Sequence, residues 1–221
     1  MKDRLGLIIL SLFIVTNING QNAFLFEIYG SIGNNSYFVN PDFSNTISYK
    51  SSISNSLGVR IGILIKDRYL FKSGVSLSWY GYSINYNWIV MEPNDPAIPN
   101  ITRLNASFID IPVLIGYGFN LNNRLSIYPE IGINFSLLYN VAEESTYGAD
   151  SNRESNYLER NMSAFFIEPN LKVCFGYNLN NNWSFGIEPY IGKFITKFDK
   201  LYTGSGHLSY GISVSINYLI E

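Results

Sequence analysis

The chain's 221 residues make one ordinary domain, and charged side chains supply only 14% of them, against roughly 25% in a typical soluble protein. Aromatic residues reach 16%, yet mean hydropathy is only +0.06, which excludes a bundle of membrane helices and suits a barrel with one apolar and one polar face. The net charge of −2 gives no ground for a nucleic-acid partner, and the lone Cys174 excludes an internal disulfide or a CxxC metal cluster.

Residues 1–20 read as a secretory signal peptide. Lys2 and Arg4 form the positive start, Leu5 to Val15 the apolar run, and Gly20 a small residue before a cleavage point at Gln21. The run falls short of the ~20 residues a spanning helix needs, and no Cys follows it to carry a lipid. Cleavage would remove Lys2, Asp3 and Arg4 and leave a net charge of −3. Residues 21–221 are then the mature domain. They hold no further stretch resembling a membrane helix, so a membrane location requires a closed barrel, in which every backbone group is paired.

The mature domain alternates apolar and polar residues in about eight segments. Residues 23–33 place Phe24, Phe26 and Ile28 against Glu27 and Tyr29. Residues 57–66 set Leu57, Val59, Ile61 and Ile63 against Gly58, Arg60 and Gly62. Residues 69–87 run through Phe71, Val75, Leu77 and Trp79. In 105–119, Ile109, Ile111, Val113, Ile115, Tyr117 and Phe119 oppose Asp110, Pro112, Gly116 and Gly118. In 125–140 the odd positions from Leu125 to Tyr139 are greasy, and the even ones carry Glu130, Gly132, Asn134 and Ser136. Residues 163–178 oppose Phe165, Ile167, Leu171 and Val173 to Glu168, Asn170, Lys172 and Cys174. Residues 183–196 and 207–218 continue in the same way, with Glu188 and Ser213 on the polar faces. The expected fold is all-β: an up-and-down antiparallel transmembrane β-barrel of about eight strands.

Connections alternate in length. Long or medium ones run Asn34–Asn55, Trp88–Arg103, Val141–Asn161 and Asp199–Gly206. Short turns fall at Lys66–Arg68, Asn120–Arg124 and Asn178–Asn182. Outer-membrane barrels alternate in this way, with short turns in the periplasm and long loops outside. An even strand count then puts both mature termini in the periplasm. Gly118-Phe119-Asn120-Leu121-Asn122-Asn123 is echoed by Gly176-Tyr177-Asn178-Leu179-Asn180-Asn181, two Asn-rich turns in hairpins of one design.

Alternation does not say which face is inside. A soluble lipocalin-like barrel would wet the polar face, but that face is rich in Gly, Ser and Asn and poor in Lys. A water-facing surface carries more charge, whereas small residues fit a narrow interior. Aromatics near the short turns (Tyr117, Phe119, Phe175, Tyr177, Trp183, Phe185, Tyr218) form one interfacial girdle. Tyr139, Phe165 and Tyr210 suit the other.

The segment Phe108-Ile109-Asp110-Ile111-Pro112-Val113-Leu114-Ile115-Gly116-Tyr117 resembles a strand of PorT-like outer-membrane β-barrel proteins, in which an acidic residue and an Ile-Pro pair precede an aliphatic run. Glu168-Pro169, Glu188-Pro189 and the glycine-bearing last strand are similar to the same family. The resemblance covers most of the mature chain and implies a small outer-membrane barrel of the porin family type, with no agreed reaction. The terminal aromatic of an outer-membrane sorting signal is displaced, because Leu219, Ile220 and Glu221 follow Tyr218.

By parity Glu27, Arg60, Lys72, Asp110, Glu130, Glu168, Lys172 and Glu188 point into the lumen. Eight strands leave an interior just wide enough for side chains, and buried charges need partners. The set therefore reads as a polar network plugging the barrel, or else as a narrow gated path for solute. Acids outnumber bases, so at least one carboxylate is expected to be protonated or bonded to Tyr or Asn. His207 and Ser209 share a face of the last strand, similar to the His, Ser and acid of eight-stranded outer-membrane lipid A deacylases. The acid is missing, since Glu221 lies roughly 46 Å further along at ~3.3 Å per residue and Glu188 near the opposite end of the adjacent hairpin. Catalytic, cofactor and metal residues are therefore expected to be none. The long loops, with Tyr86, Trp88, Tyr147 and Tyr157, are the expected contact surface for an envelope protein partner. Membrane lipid and the outer-membrane assembly machinery complete the expected partners.

Overall fold

The computed structural model describes residues 22–38, 47–51, 53–86, 101–147, 151–154, 163–196 and 206–220. Residues 1–20, expected to be a signal peptide, lie outside them together with Trp88, Tyr157 and most of the loop 88–103, as do the side chains of Tyr86, Tyr147 and His207. The strands are β1 (Asn22–Phe38), β2 (Ile47–Ser51), β3 (Ile53–Ile65), β4 (Tyr69–Tyr86), β5 (Ile101–Tyr117), β6 (Phe119–Asn120), β7 (Leu125–Tyr147), β8 (Ser151–Glu154), β9 (Phe165–Asn178), β10 (Trp183–Phe194) and β11 (Gly206–Ile220).

Eight staves close the ring. β2 with β3, and β5 with β6, each continue one stave, and β8 is a short return strand on β7. Each stave pairs antiparallel with the next in the chain, and β1 closes on β11. Stepping from partner to partner, Leu25, Gly62, Lys72, Leu114, Gly132, Asn170, Gly192, Ser209 and Asn35 in turn, returns to β1 ten residues from the start. Eight strands with this stagger tilt by about 40°, given ~3.3 Å per residue and ~4.8 Å between strands.

The outer face is a continuous apolar belt: Ile28, Ile61, Val75, Ile115, Ile131, Leu171, Ile187 and Ile216 are all exposed. A water-soluble barrel would bury such residues, and hydrocarbon is the solvent that suits them. Rings edge the belt near the short turns, where Tyr69 lies 5.3 Å from Tyr117, Tyr117 5.0 Å from Phe119, and Trp183 4.8 Å from Tyr218 between centroids. Arg68 and Arg124 donate to the hydroxyls of Tyr117 and Tyr177 at 3.4 and 3.5 Å. Exposed Trp79, Tyr139, Phe165 and Tyr210 edge the other side. Tyr69 and Trp79 lie ten residues apart on β4, or about 25 Å of height at that tilt, matching the usual apolar band of such barrels.

Three features differ from the sequence reading. The staves run further: β1 reaches Phe38, β2 begins at Ile47, and β7 continues to Tyr147 before β8 turns back along it. Much of the expected loops Asn34–Asn55 and Val141–Asn161 is therefore ladder. Above the bilayer both faces are wet, so hydrogen bonding continues while the apolar alternation that reveals a strand stops. The alternation also changes phase. Ser107 pairs with Asn140 but Phe108 with Leu138, which leaves Tyr139 as the extra residue of a bulge. Asn140 thus faces outward with Tyr139, and Val141 turns in. Finally, the inward face is not polar throughout, as described below.

The short turns are built by their asparagines. Asn122 Oδ1 accepts from the amides of Arg124 and Leu125, both at 2.8 Å, and Asn180 Oδ1 from those of Asn182 and Trp183 at 2.9 and 2.8 Å. The echoed sequences thus make the same turn twice. The third turn is different: Arg68 N donates to Ile65 O at 3.1 Å, with Lys66 and Asp67 at φ 52° and 55°, the backbone of a type I′ hairpin.

Candidate functional site: the lumen

Inside the barrel the side chains form layers. At the short-turn end Ala23, Leu64 and Leu70 pack with Leu25, Tyr128 and Leu219. They form a collar around an open vestibule of about 470 Å³, which reaches inward to Glu27, Lys72 and Glu130.

There the ion-pair belt begins. Glu27 and Arg60 are direct cross-strand partners of β1 and β3, and their side chains pair. Arg60 Nη2 also lies 2.7 Å from Glu188 Oε2, across the lumen on β10. Lys72 Nζ lies 2.7 Å from Glu130, 3.1 Å from Glu27 and 3.8 Å from Glu188. The Arg60 guanidinium stacks 4.0 Å from the centroid of Tyr29. Charges this deep are tolerated because each is paired, Glu130 with Lys72 alone and the other four with two or more opposite charges, although such belts define geometry more than they add stability. Glycine makes room for the arginine. Gly74 is its partner on β4, and a Cβ there would meet the Val59 carbonyl and come within 2.8 Å of Arg60 Cα.

Above the belt lie Lys172, Glu168 and Asp110. The Lys172 ammonium is 5.8 Å from the ring centroids of both Tyr29 and Tyr190. Glu168 accepts from Ser209 Oγ and, at 2.9 Å, from Asn134 Nδ2, so one lumen carboxylate is held by an asparagine. Asp110 lies between its register partners Ser76 and Ser136.

A roof of rings closes the long-loop end. Tyr80 lies edge-on to Phe108 at 5.2 Å and to Phe194 at 5.9 Å, and Phe166 edge-on to Phe108 at 5.4 Å and to Phe194 at 6.0 Å. Leu104, Ala106 and Val141 are buried beside them.

All eight charged residues singled out in the sequence are buried in the lumen. Five of them (Glu27, Arg60, Lys72, Glu130, Glu188) form one belt, and Asp110, Glu168 and Lys172 lie in the layer above. Missed were the roof aromatics Tyr80, Phe108, Phe166 and Phe194 and the lumen tyrosine Tyr190, whereas Tyr29, set on the polar face of its strand by the sequence, is buried inside. Parity places them inside, because Phe166 and Phe194 share their faces with Glu168 and Glu188. The acid nearest Ser209 also differs from those weighed, being Glu168 of β9 rather than Glu188 or Glu221. This serine is 2% exposed and faces the lumen rather than lipid, and it donates directly to the carboxylate. His207 stands opposite Phe194 and Tyr37 in the register.

Several solved structures are similar to this chain at a low level. Neisserial surface protein A has 14% identity over 89% of this chain and 96% of its own, with a TM-score of 0.46. OprG from Pseudomonas aeruginosa has 11% identity over 91% and 96%, TM-score 0.45. OmpT, an outer membrane protease from Escherichia coli, has 10% identity over 91% and 97%, TM-score 0.46. No curated protein matches the sequence at a significant level. The profile of the outer membrane protein beta-barrel domain matches residues 5–217. With that span covering nearly the whole chain, this eight-stranded antiparallel barrel belongs to the outer membrane protein beta-barrel domain family.

Proposed function

We propose that the protein is a non-enzymatic outer-membrane scaffold of the PorT-like type, with a lumen that does not conduct and a long-loop end that contacts an envelope protein. The observation that carries this reading is the filled interior: an ion-pair belt and a ring of four aromatics lie in series between the two ends. Side chains that bridge the lumen make a stiff stave assembly, and such a platform suits the display of outward loops. The ladders of β2, β4, β5, β7 and β8 continue past the outer aromatic girdle, which supports a raised contact surface on that wall. In this reading the short turns and both mature termini are periplasmic, and the last strand is presented to the assembly machinery.

The rival reading is a narrow gated transporter, favoured by the vestibule that reaches Lys72 from the short-turn end. Planar-bilayer recording on the refolded protein separates the two. The scaffold gives no conductance steps, and reproducible ion currents would establish the rival. Mild-detergent co-purification from envelopes, with and without the 141–162 segment, then tests the partner. Retention of a stoichiometric envelope protein by the full chain alone is the expected result. Protease trimming of intact cells at the long loops, but not at the termini, tests the orientation.

A further inference from the structure

The three short turns carry one repeated arrangement. The first residue of β4, β7 and β10 (Tyr69, Leu125 and Trp183) stands opposite a tyrosine of the next stave: Tyr117, Tyr177 and Tyr218. The carbonyl just before that first residue accepts from the amide just after the tyrosine. Arg68 O accepts from Gly118 N at 2.6 Å, Arg124 O from Asn178 N at 2.8 Å, and Asn182 O from Leu219 N at 2.8 Å. The backbone frame is the same three times, but the side chains differ. Arg68 and Arg124 each donate through Nη1 to the tyrosine hydroxyl, whereas Asn182 Nδ2 turns to Leu219 O at 3.0 Å.

Both guanidinium groups lack an anion. Arg68 and Arg124 are exposed, and among the described residues neither pairs with a carboxylate. Each spends one N–H on its tyrosine, and the rest of the fork stays open to a further acceptor. Each also stands at the head of an apolar column. Below Arg68 come Tyr69 opposite Tyr117 and then Phe71 opposite Ile115; below Arg124 come Leu125 opposite Tyr177 and then Ile127 opposite Phe175. These columns belong to the belt that hydrocarbon covers. Water or a free anion would meet the guanidinium and have no use for the column. A lipid with an anionic head uses both. Its phosphate oxygens accept from the guanidinium and the tyrosine hydroxyl, and its acyl chains lie along the column. The apolar belt ends at this depth, so bilayer phosphates are the anions at hand. We infer that Arg68 with Tyr117, and Arg124 with Tyr177, each hold the phosphate of one anionic glycerophospholipid, which makes two such sites at the short-turn rim and none at Asn182. The choice of a glycerophospholipid rests on the periplasmic placement of the short turns proposed above, whereas the experiment reads the sites in either orientation.

The test places the refolded protein in vesicles of phosphatidylcholine with a minor share of phosphatidylglycerol of the same acyl chains. The protein is then released into detergent and weighed by native mass spectrometry. Retention of two phosphatidylglycerol molecules, chosen over the more abundant phosphatidylcholine, is the expected result. Arg68→Gln and Arg124→Gln should each lose one of them, with binding at the altered site weakened roughly tenfold or more, and the double variant should lose both. Retention undiminished in the double variant, or no preference for phosphatidylglycerol in the wild type, overturns the proposal. So does displacement of the lipid by millimolar inorganic phosphate, which would reduce the sites to general anion sites. Should the variants not fold, the wild type decides alone, in vesicles where a phosphate-free diacyl glycolipid replaces phosphatidylglycerol. Loss of retained lipid in those vesicles supports the sites, and equal retention of the glycolipid overturns them.

Discussion

Glu27 and Arg60 face each other across the β1–β3 ladder and pair side chain to side chain, with neither exposed by more than 1%. Arg60 is also the link to Glu188 on the far wall. Arg60→Met would leave three belt carboxylates with Lys72 as their only cation. The expected loss is about 3–5 kcal/mol, the usual cost of stranding buried charge. Glu27→Gln added to Arg60→Met restores the belt's original net charge and should recover more than half of it. Urea unfolding in lipid bilayers measures both, and a double variant no better than the single one would refute the charge argument.

The roof should be a packing element first. Phe166→Ala removes a fully buried ring in contact with Phe108 and Phe194, at an expected cost of about 3–5 kcal/mol. The ion-pair belt still spans the lumen, so this variant is expected to stay electrically silent in planar bilayers. Current through it would mean that the rings alone close the barrel.

The matched turns invite a paired experiment. Asn122→Ala and Asn180→Ala each remove an acceptor serving two backbone amides. These sites are exposed, so water takes over part of each bond. A loss of about 1 kcal/mol apiece is expected. The two turns are separate, so the losses should add. Equilibrium unfolding of the two singles and the double tests this.

The Lys66–Asp67 turn holds two non-glycine residues at positive φ, a conformation that costs Lys66 roughly 1–2 kcal/mol and Asp67 less, because a short polar side chain tolerates it. Changing Lys66→Asn together with Asp67→Gly supplies the favoured type I′ pair. A gain of about 1 kcal/mol is expected after the extra flexibility of the unfolded chain is deducted. A less stable variant would mean that the native side chains make contacts worth more than this strain.

The parts of this architecture visible in the sequence are those that lipid dictates. Ile109, Ile111, Val113 and Ile115 must meet hydrocarbon while Asp110 and Pro112 must not, so the period of two declares both the strand and its faces. Beyond the bilayer that constraint lapses, and Ala142 to Tyr147 continue β7 with no alternation to reveal it. The bulge at Tyr139 escaped for a related reason. A bulge shifts the phase by one residue, and an aromatic at the interface is acceptable on either side of that shift. The charged layer was visible because Glu27, Arg60 and Glu188 are costly anywhere except a paired interior. Phe108 and Phe166 were not, because phenylalanine beside apolar residues looks like more of the outer belt, and only its parity places it within. The pairing of Arg60 with Glu188 depends on the distance between staves far apart in the chain, which no periodicity encodes.

The seam between β1 and β11 joins the first and last staves along the full length of the wall, from Phe24 with Ile220 to Phe38 with Gly206. A nascent chain therefore has no closed form until its final stave has crossed the envelope, and a chain truncated before Gly206 would bring two raw edges to the lipid. The same seam implies that the termini are interchangeable with any short turn. A circular permutant opened at Asn180, with a linker joining the end of β11 to the start of β1, should insert into bilayers as readily as the natural order.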